Sequence, residues 1–451
     1  MFRAAISAIA LLLLASSATV ADEVAVTVYN SNLGVVSETR SLDLEKGNGR
    51  LAFRDVPERI DASSVRFEVV DRGRKVAILE QNYVYDLVSP EQLYTKYIDQ
   101  TIEMIDKEGH LYSGTLLAFS SGAVTLQDTA GKVRIIGLDN ITEVDFPLLP
   151  EGLITRPTLF WLYASDFSGQ ADCNVSYQTT GLNWEAEYVG RLDKDDTSLH
   201  LSGWASINNT SGKTYKDAKL KLIAGDINRA QRGPAALKGS ARTMEMAMAA
   251  PDFQEKAFFE YHMYTLPRSA TLANKEIKQL SLFEPSTVKV KKVYLYQPDQ
   301  NPTDVTVKVE FVNSTGDGLG IPLPAGRVRL FKADDDGAMI LLGEDRVDHT
   351  PKDEEVSLTV GTAFDIVAEE KILDHSRISA KVEERTYQIE LRNRKDTDIT
   401  VKVAKNFWGF WEIVSANYEY EKKESNVVHF SVPVKANSTA RLDLRVRFTS
   451  R

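Results

Sequence analysis

The sequence VAVTVY at residues 24–29 alternates branched apolar side chains with smaller or polar ones, and it runs into the turn sequence NSNLG at 30–34. Successive side chains of a β-strand point to opposite faces, so this alternation is typical of a strand with one buried face. The same pattern returns in VRFEV at 65–69 and along most of the chain. It predicts an all-β, multidomain protein built from antiparallel β-sandwich units.

The distribution of strand and turn patterns predicts a leader and four folded parts. These are a signal peptide at 1–21, an N-terminal β-rich unit at 22–88, a helix with a small barrel-like insert at 89–147, a sandwich-like domain at 148–286 with a long loop at 228–253, and a C-terminal sandwich-like domain at 287–451.

The insert begins with a helix signal. Ser89 can cap the helix, Pro90 suits its first position, and Gln92 can complete a capping box. Five short strands follow, at about 101–106, 110–119, 122–128, 132–137 and 140–145. One helix and five strands with tight turns predict an SH3-like or Sm-like barrel. Between residues 96 and 146 eight acidic side chains outnumber four basic ones, which excludes an RNA-binding role for it.

The first residues predict export. Arg3 precedes an apolar run at 4–15, and small residues then lead to Ala21 and an acidic pair. This order is typical of a secretory signal peptide cleaved near Ala21. We therefore expect a soluble periplasmic or secreted protein with no membrane span after cleavage, because no later apolar stretch has the length of one.

Composition excludes several classes of protein. A net charge of -10 argues against nucleic acid as a partner. Cys173 is the single cysteine, so no intramolecular disulfide can form, and we expect a buried, unreactive thiol. The sequence SGKT at 211–214 resembles the end of a phosphate-binding loop but lacks its first glycine and its helix, so it predicts a hairpin turn.

The aromatic segment, NFWGFW at 406–411, is the first candidate contact region. It contains Phe407, Trp408, Phe410 and Trp411 around one glycine. If exposed, these rings suit a sugar face, a protein partner or a membrane interface. If buried, they close one end of a sandwich.

Other candidate groups are weaker. His262 and Tyr264 share one face of a predicted strand, where a structural hydrogen bond competes with a catalytic role. The six histidines show no metal-binding spacing, so we predict no metal site and no cofactor. Met244, Met246 and Met248 are soft copper(I) ligands by type, and incidental methionines of a loop are the alternative.

Several stretches together resemble the bacterial family known as domain of unknown function 4139. They are LNWEAEY at 182–188, INNTSG at 207–212, YHMY at 261–264, GLGIPLPAG at 318–326 and GTAFD at 361–365. The resemblance covers about 150–451 and implies an exported β-rich protein, with no established activity and no catalytic residues to transfer.

The sequence favours a non-enzymatic binding or structural protein of the cell envelope, with a protein or glycan component of the envelope as its partner. The aromatic segment and the tract at 228–253 are the expected contact regions. The alternative is an envelope polysaccharide hydrolase that uses carboxylates on loops, with His262 nearby.

Overall fold

The computed structural model describes residues 23–71, 73–120, 122–147, 153–225, 254–258 and 261–450. The predicted signal peptide and the predicted long loop with its three methionines lie outside these residues. Strands make up 67% of the chain and helix only 3%, so the all-β prediction is confirmed. No helix in this part of the chain has the length and apolar character needed to cross a membrane.

The elements are numbered in chain order. Up to residue 180 they are β1 (Glu23–Tyr29), β2 (Leu33–Leu44), β3 (Gly47–Arg54), β4 (Ile60–Val69), β5 (Val76–Val84), α1 (Pro90–Lys96), β6 (Thr101–Asp106), β7 (Leu111–Ser120), β8 (Ala123–Gln127), β9 (Val133–Gly137), β10 (Ile141–Asp145), β11 (Thr158–Ser165) and β12 (Gly169–Thr179), with a short 3₁₀ turn at Leu138–Asn140.

The second part of the chain continues the series. Its strands are β13 (Leu182–Leu192), β14 (Ser198–Asn209), β15 (Tyr215–Ala224), β16 (Gln254–Phe258), β17 (Tyr261–Thr265), β18 (Ala270–Leu272), β19 (Glu276–Lys289), β20 (Lys291–Tyr296), β21 (Asp304–Val312), β22 (Gly326–Ala333), β23 (Met339–Val347), β24 (Glu355–Arg377), β25 (Val382–Asn393), β26 (Ile399–Asn406), β27 (Phe410–Ala416), β28 (Tyr420–Lys422), β29 (Val427–Val434) and β30 (Thr439–Thr449), with a second 3₁₀ turn at Thr315–Asp317.

The chain forms two compact units, each assembled from separate stretches. The first unit comprises Met1–Asn183, Asn208–Lys221 and Arg268–Glu276, and the second comprises Trp184–Ile207, Leu222–Pro267 and Ile277–Arg451. The four-part division expected from the sequence stays a prediction.

The first unit contains two sheets that face one another. The first is part of an eight-stranded sheet, and its strands in this unit have the order β15-β1-β2-β12-β4, with β18 also paired to β15. The other has the order β3-β11-β5. Val26 and Val28 of the opening stretch are fully buried, as their alternation predicts. Between the sheets, the Trp161 ring lies 5.2 Å from the rings of both Phe53 and Phe67. These rings bury apolar surface between the two sheets.

The predicted insert is an open five-stranded sheet with one helix. The Ser89 side chain accepts a hydrogen bond from the Gln92 backbone N–H at 3.2 Å, which caps α1. The strand order is β10-β6-β7-β8-β9. Tyr94 of α1 stacks on Phe119 at 4.6 Å over a core that includes Met104. Among the described residues no ladder joins β9 to β10, so the sheet does not close into a barrel.

The second unit contains a five-stranded sheet, β19-β14-β13-β22-β23, and a nine-stranded sheet, β27-β30-β25-β24-β21-β20-β26-β29-β28. Val403 of β26 and Phe430 of β29 share one core with Ile389 of β25 and Leu444 of β30, although these pairs of strands stand far apart in the sheet order. The nine-stranded sheet therefore curls around a single apolar core, as in a sandwich.

Candidate functional site

A groove of about 900 Å³ lies beside the curled sheet of the second unit. One wall is the tip of the β24–β25 hairpin, residues 377–382, which we call the hairpin tip. The other wall is formed by the aromatic segment, and the end of β30 also lines the groove. Its volume is in the range of pockets that hold small ligands, roughly 300–1,000 Å³.

The aromatic segment is divided between the core and the groove. The Phe407 side chain is only 2% exposed, and its ring lies 5.2 Å from Trp411 and 5.8 Å from Phe448. Trp408 is 79% exposed and Phe410 is 55% exposed, and both line the groove. Gly409 adopts a left-handed φ of 81°, a conformation that is unfavourable for residues with a side chain. It lies between the two exposed rings.

Lys405 joins two carboxylates in the groove. Its Nζ donates to Asp299 Oδ1 at 2.7 Å and to Glu370 Oε1 at 3.0 Å, and its side chain is almost completely buried. Burial raises the pKa of Glu370, and the attraction of Lys405 does not fully offset this. Burial alone would lower the pKa of Lys405. The two carboxylates have the larger effect, so the pKa of Lys405 is raised above its ordinary value. The Oε2 atom of Glu370 is buried without a hydrogen-bond partner.

The hairpin side of the groove is rich in cations. Arg385 donates to Glu383 at 2.6 Å, and His375 Nε2 lies 3.0 Å from the other oxygen of that carboxylate. Arg377 donates to two backbone carbonyls of the hairpin tip, each at 3.3 Å. Lys381 is exposed at the tip. This wall therefore offers positive charge opposite the exposed rings.

Comparison with protein families gives one match. The family model described as Domain of unknown function (DUF4139) matches residues 173–407, which is more than half of the chain. The chain belongs to the DUF4139 family. No curated protein matches it. The DUF4139 region includes the hairpin tip and Lys405, whereas Trp408 and Phe410 lie one and three positions beyond its last residue.

His262 and Tyr264 lie inside the DUF4139 region but do not line this groove. Both belong to β17, where Tyr264 is buried and its hydroxyl donates to the Pro322 carbonyl at 3.2 Å. Its ring also packs edge-on against Trp184 at 6.0 Å. These contacts fit a structural role for Tyr264, and a binding role for the pair stays a prediction.

One histidine-containing group in the described residues has the spacing of metal ligands. Ligand atoms of Asp106, Glu108 and His110 lie within 4.8 Å of one another at the β6–β7 turn. Asp106 already accepts hydrogen bonds from two backbone N–H groups and from Tyr112. The pKa of Asp106 is lowered to about 2, and the hydrogen bond donated by the His110 backbone N–H has the largest effect. The carboxylate stabilises the turn, and this geometry does not by itself indicate a metal.

Sequence reasoning missed a buried charge cluster in the first unit. Lys213 belongs to the SGKT sequence, for which the predicted hairpin turn is wrong, because this segment connects β14 and β15, which belong to different sheets. The Nζ of Lys213 donates to Glu38 Oε1 at 2.6 Å inside the core. Arg40 donates to Glu38 Oε2 from Nε at 3.1 Å and from Nη2 at 2.5 Å, and Tyr177 donates to Glu38 as well. Burial opposes ionisation of Glu38, but Lys213 and Arg40 outweigh it and hold its pKa below 4.5.

We expect the contribution of Glu38 to stability to depend on pH. Because the folded pKa of Glu38 is below its ordinary value of 4.5, its contribution is complete above that value and is lost as pH falls through the folded pKa. The difference in unfolding free energy between wild type and Glu38→Gln should therefore be constant from about pH 7 down to about pH 5 and should shrink as the pH falls further. Urea unfolding of both proteins from about pH 7 to about pH 3 measures it. A difference that stays constant over this whole range would show that the Glu38 charge is not the source.

The single cysteine is inert by environment. Cys173 is fully buried at the first residue of the matched region. Burial raises the pKa of its thiol to about 11, so the reactive thiolate is scarce at neutral pH. The expectation of a buried thiol is confirmed, and its lack of reactivity stays a prediction.

Proposed function

We propose that this DUF4139 protein is a non-catalytic binding protein of the cell envelope, and that it binds a glycan in the groove of the second unit. The observation that carries the proposal is the pair of exposed rings, Trp408 and Phe410, on a concave wall faced by hydrogen-bonding side chains. Isolated exposed rings are common, but exposed rings that line a groove with convergent polar groups are typical of ligand sites.

A sugar fits this arrangement better than a flat protein surface. The C–H face of a pyranose ring is apolar and can lie on an indole, while its hydroxyls need donors and acceptors at the edges. Arg385, Glu383 and Asn406 line the groove and supply both kinds of group. A stable protein partner would need about 800 Å² on each side, with a mostly apolar centre. Envelope location follows the predicted signal peptide at 1–21.

Replacing Trp408 by Ala should weaken glycan binding by at least about tenfold, because it removes the larger and more exposed of the two rings that line the groove. The full chain is titrated with maltotetraose, tetragalacturonate and peptidoglycan fragments by calorimetry. Phe364→Ala is the matched control, since Phe364 is 96% exposed in the same unit but outside this groove. Equal affinities of wild type and Trp408→Ala for every ligand would refute the proposal.

Hydrolysis is the second candidate, and one observation favours it. Asp299 and Glu370 are held near one another by Lys405, and Glu370 has a raised pKa, as a general acid needs. Against it, Lys405 occupies the space between them and the second oxygen of Glu370 is buried. If wild type produces new reducing ends in the titrated oligosaccharides and Asp299→Asn does not, hydrolysis and not binding alone is the function of this groove.

A further inference from the structure

Each acidic side chain of the groove is paired with a basic neighbour, although Asp299 and Glu370 share a single one. Asp299 and Glu370 share the buried ammonium of Lys405. Glu383 pairs with Arg385 at 2.6 Å. An acid that is paired in this way contributes little attraction for a cationic ligand. The four basic side chains of the lining therefore outweigh the three acidic ones.

Two cations at the hairpin tip lack such a partner. Among the described residues no carboxylate lies within ion-pair distance of Arg377 or Lys381, and both side chains belong to exposed residues that line the groove. Arg377 uses Nε and Nη2 to bind the carbonyls of Ser379 and Ala380. These bonds orient the guanidinium along the hairpin tip, and among the described residues no hydrogen bond from its Nη1 is seen, so Nη1 can donate to an incoming oxygen.

We infer that the ligand of this groove is an anionic glycan, whose carboxylate or phosphate binds Arg377 and Lys381 while a sugar ring lies on Trp408. This inference rests on the proposed function and names its ligand class. The whole chain carries a net charge of -10 and so repels anions at long range. Attraction of an anion must therefore be local, and charge-assisted hydrogen bonds from a fixed guanidinium supply it at short range.

The test compares each charged sugar with its neutral counterpart on the full chain. Tetragalacturonate against its fully methyl-esterified form probes a carboxylate, and trehalose 6-phosphate against trehalose probes a phosphate. We expect the charged member of at least one pair to bind more tightly. Arg377→Gln and Lys381→Gln should each weaken it by about tenfold and leave the neutral sugar unchanged. Raising the salt concentration should reproduce this selective loss.

Lys381→Gln is the cleaner variant, since Arg377 also holds the turn of the hairpin tip. Lys289→Gln is the matched control, because Lys289 is an exposed cation of the same unit that does not line the groove. Unchanged affinity of Lys381→Gln and Arg377→Gln for the charged sugar overturns this inference, even if Trp408→Ala loses all binding and so upholds the proposed function. The inference is also overturned if the protein binds charged and neutral sugars equally well, or if it binds neither.

Discussion

Replacing Glu38 by Gln is expected to destabilise the first unit by about 3 to 5 kcal/mol, as removal of one partner from a buried charge cluster does. Glu38 is fully buried and is the shared acceptor for Lys213 and Arg40. Without its charge, two cations lie side by side in the core with no carboxylate between them. The cost comes from the charges left behind more than from the bonds that are lost.

The companion variants separate these two causes. Lys213→Met keeps the bond between Glu38 and Arg40, so it should cost less than Glu38→Gln. The double variant should cost less than the sum of the single ones, because it removes one of the two stranded cations together with the carboxylate. Urea unfolding can be monitored by hydrogen exchange of the backbone amides in β2 and β12. This measures the unfolding free energy of the first unit separately from that of the second.

An exposed ion pair in the same unit provides the control. Lys219 and Glu23 form an ion pair with both side chains more than half exposed. Lys219→Met should change stability by less than about 1 kcal/mol, as is usual for surface pairs. If Glu38→Gln lowered the unfolding free energy no more than this control does, the cluster would have to be hydrated in solution, and its cations would not be buried without a partner in the variant.

The sequence predicts the local structure of this chain well because local signals carry it. Strand alternation at 24–29 places Val26 and Val28 on the buried face, and Ser89 caps the helix through a bond to a residue three positions away. Each of these features depends on neighbours within a few residues, so periodicity and capping rules are sufficient to find them.

The buried cluster is invisible to the same reasoning. Lys213 and Glu38 are 175 positions apart. The sequence around Glu38 has an ordinary strand pattern, and the sequence around Lys213 has an ordinary turn pattern. A lysine beside a turn is expected to be solvated. Only the pairing of β15 with β1, and of β1 with β2, brings the turn that carries Lys213 over the core position of Glu38.

The candidate site could be predicted in part. Composition alone singles out the aromatic segment, since four rings in six residues are unusual on any strand. The opposite wall could not be found in this way, because Arg377 and Lys381 look like solvated ends of strands. Their position in the groove depends on the length of β24 and β25, whose tip lines the groove together with the aromatic segment.

Replacing Phe407 by Ala is expected to cost about 3 to 5 kcal/mol of stability in the second unit, the usual loss for a phenylalanine removed from a packed core. Its ring is 2% exposed and contacts Trp411, Phe448 and Tyr387 with centroid distances of 5.2, 5.8 and 6.0 Å. These neighbours belong to three different strands, so they cannot all move inward to fill the space, and a cavity remains.

Trp408→Ala, one residue away, should change stability by less than about 0.5 kcal/mol, because its ring is 79% exposed. Thermal unfolding of the two variants beside the glycan titrations tests both roles at once. Phe407→Ala should lose stability first, and any loss of binding should follow from that. Trp408→Ala should stay folded and lose binding. If Phe407→Ala were as stable as wild type, the ring would not be a core anchor, and the division of the aromatic segment into a packed half and a ligand-facing half would fail.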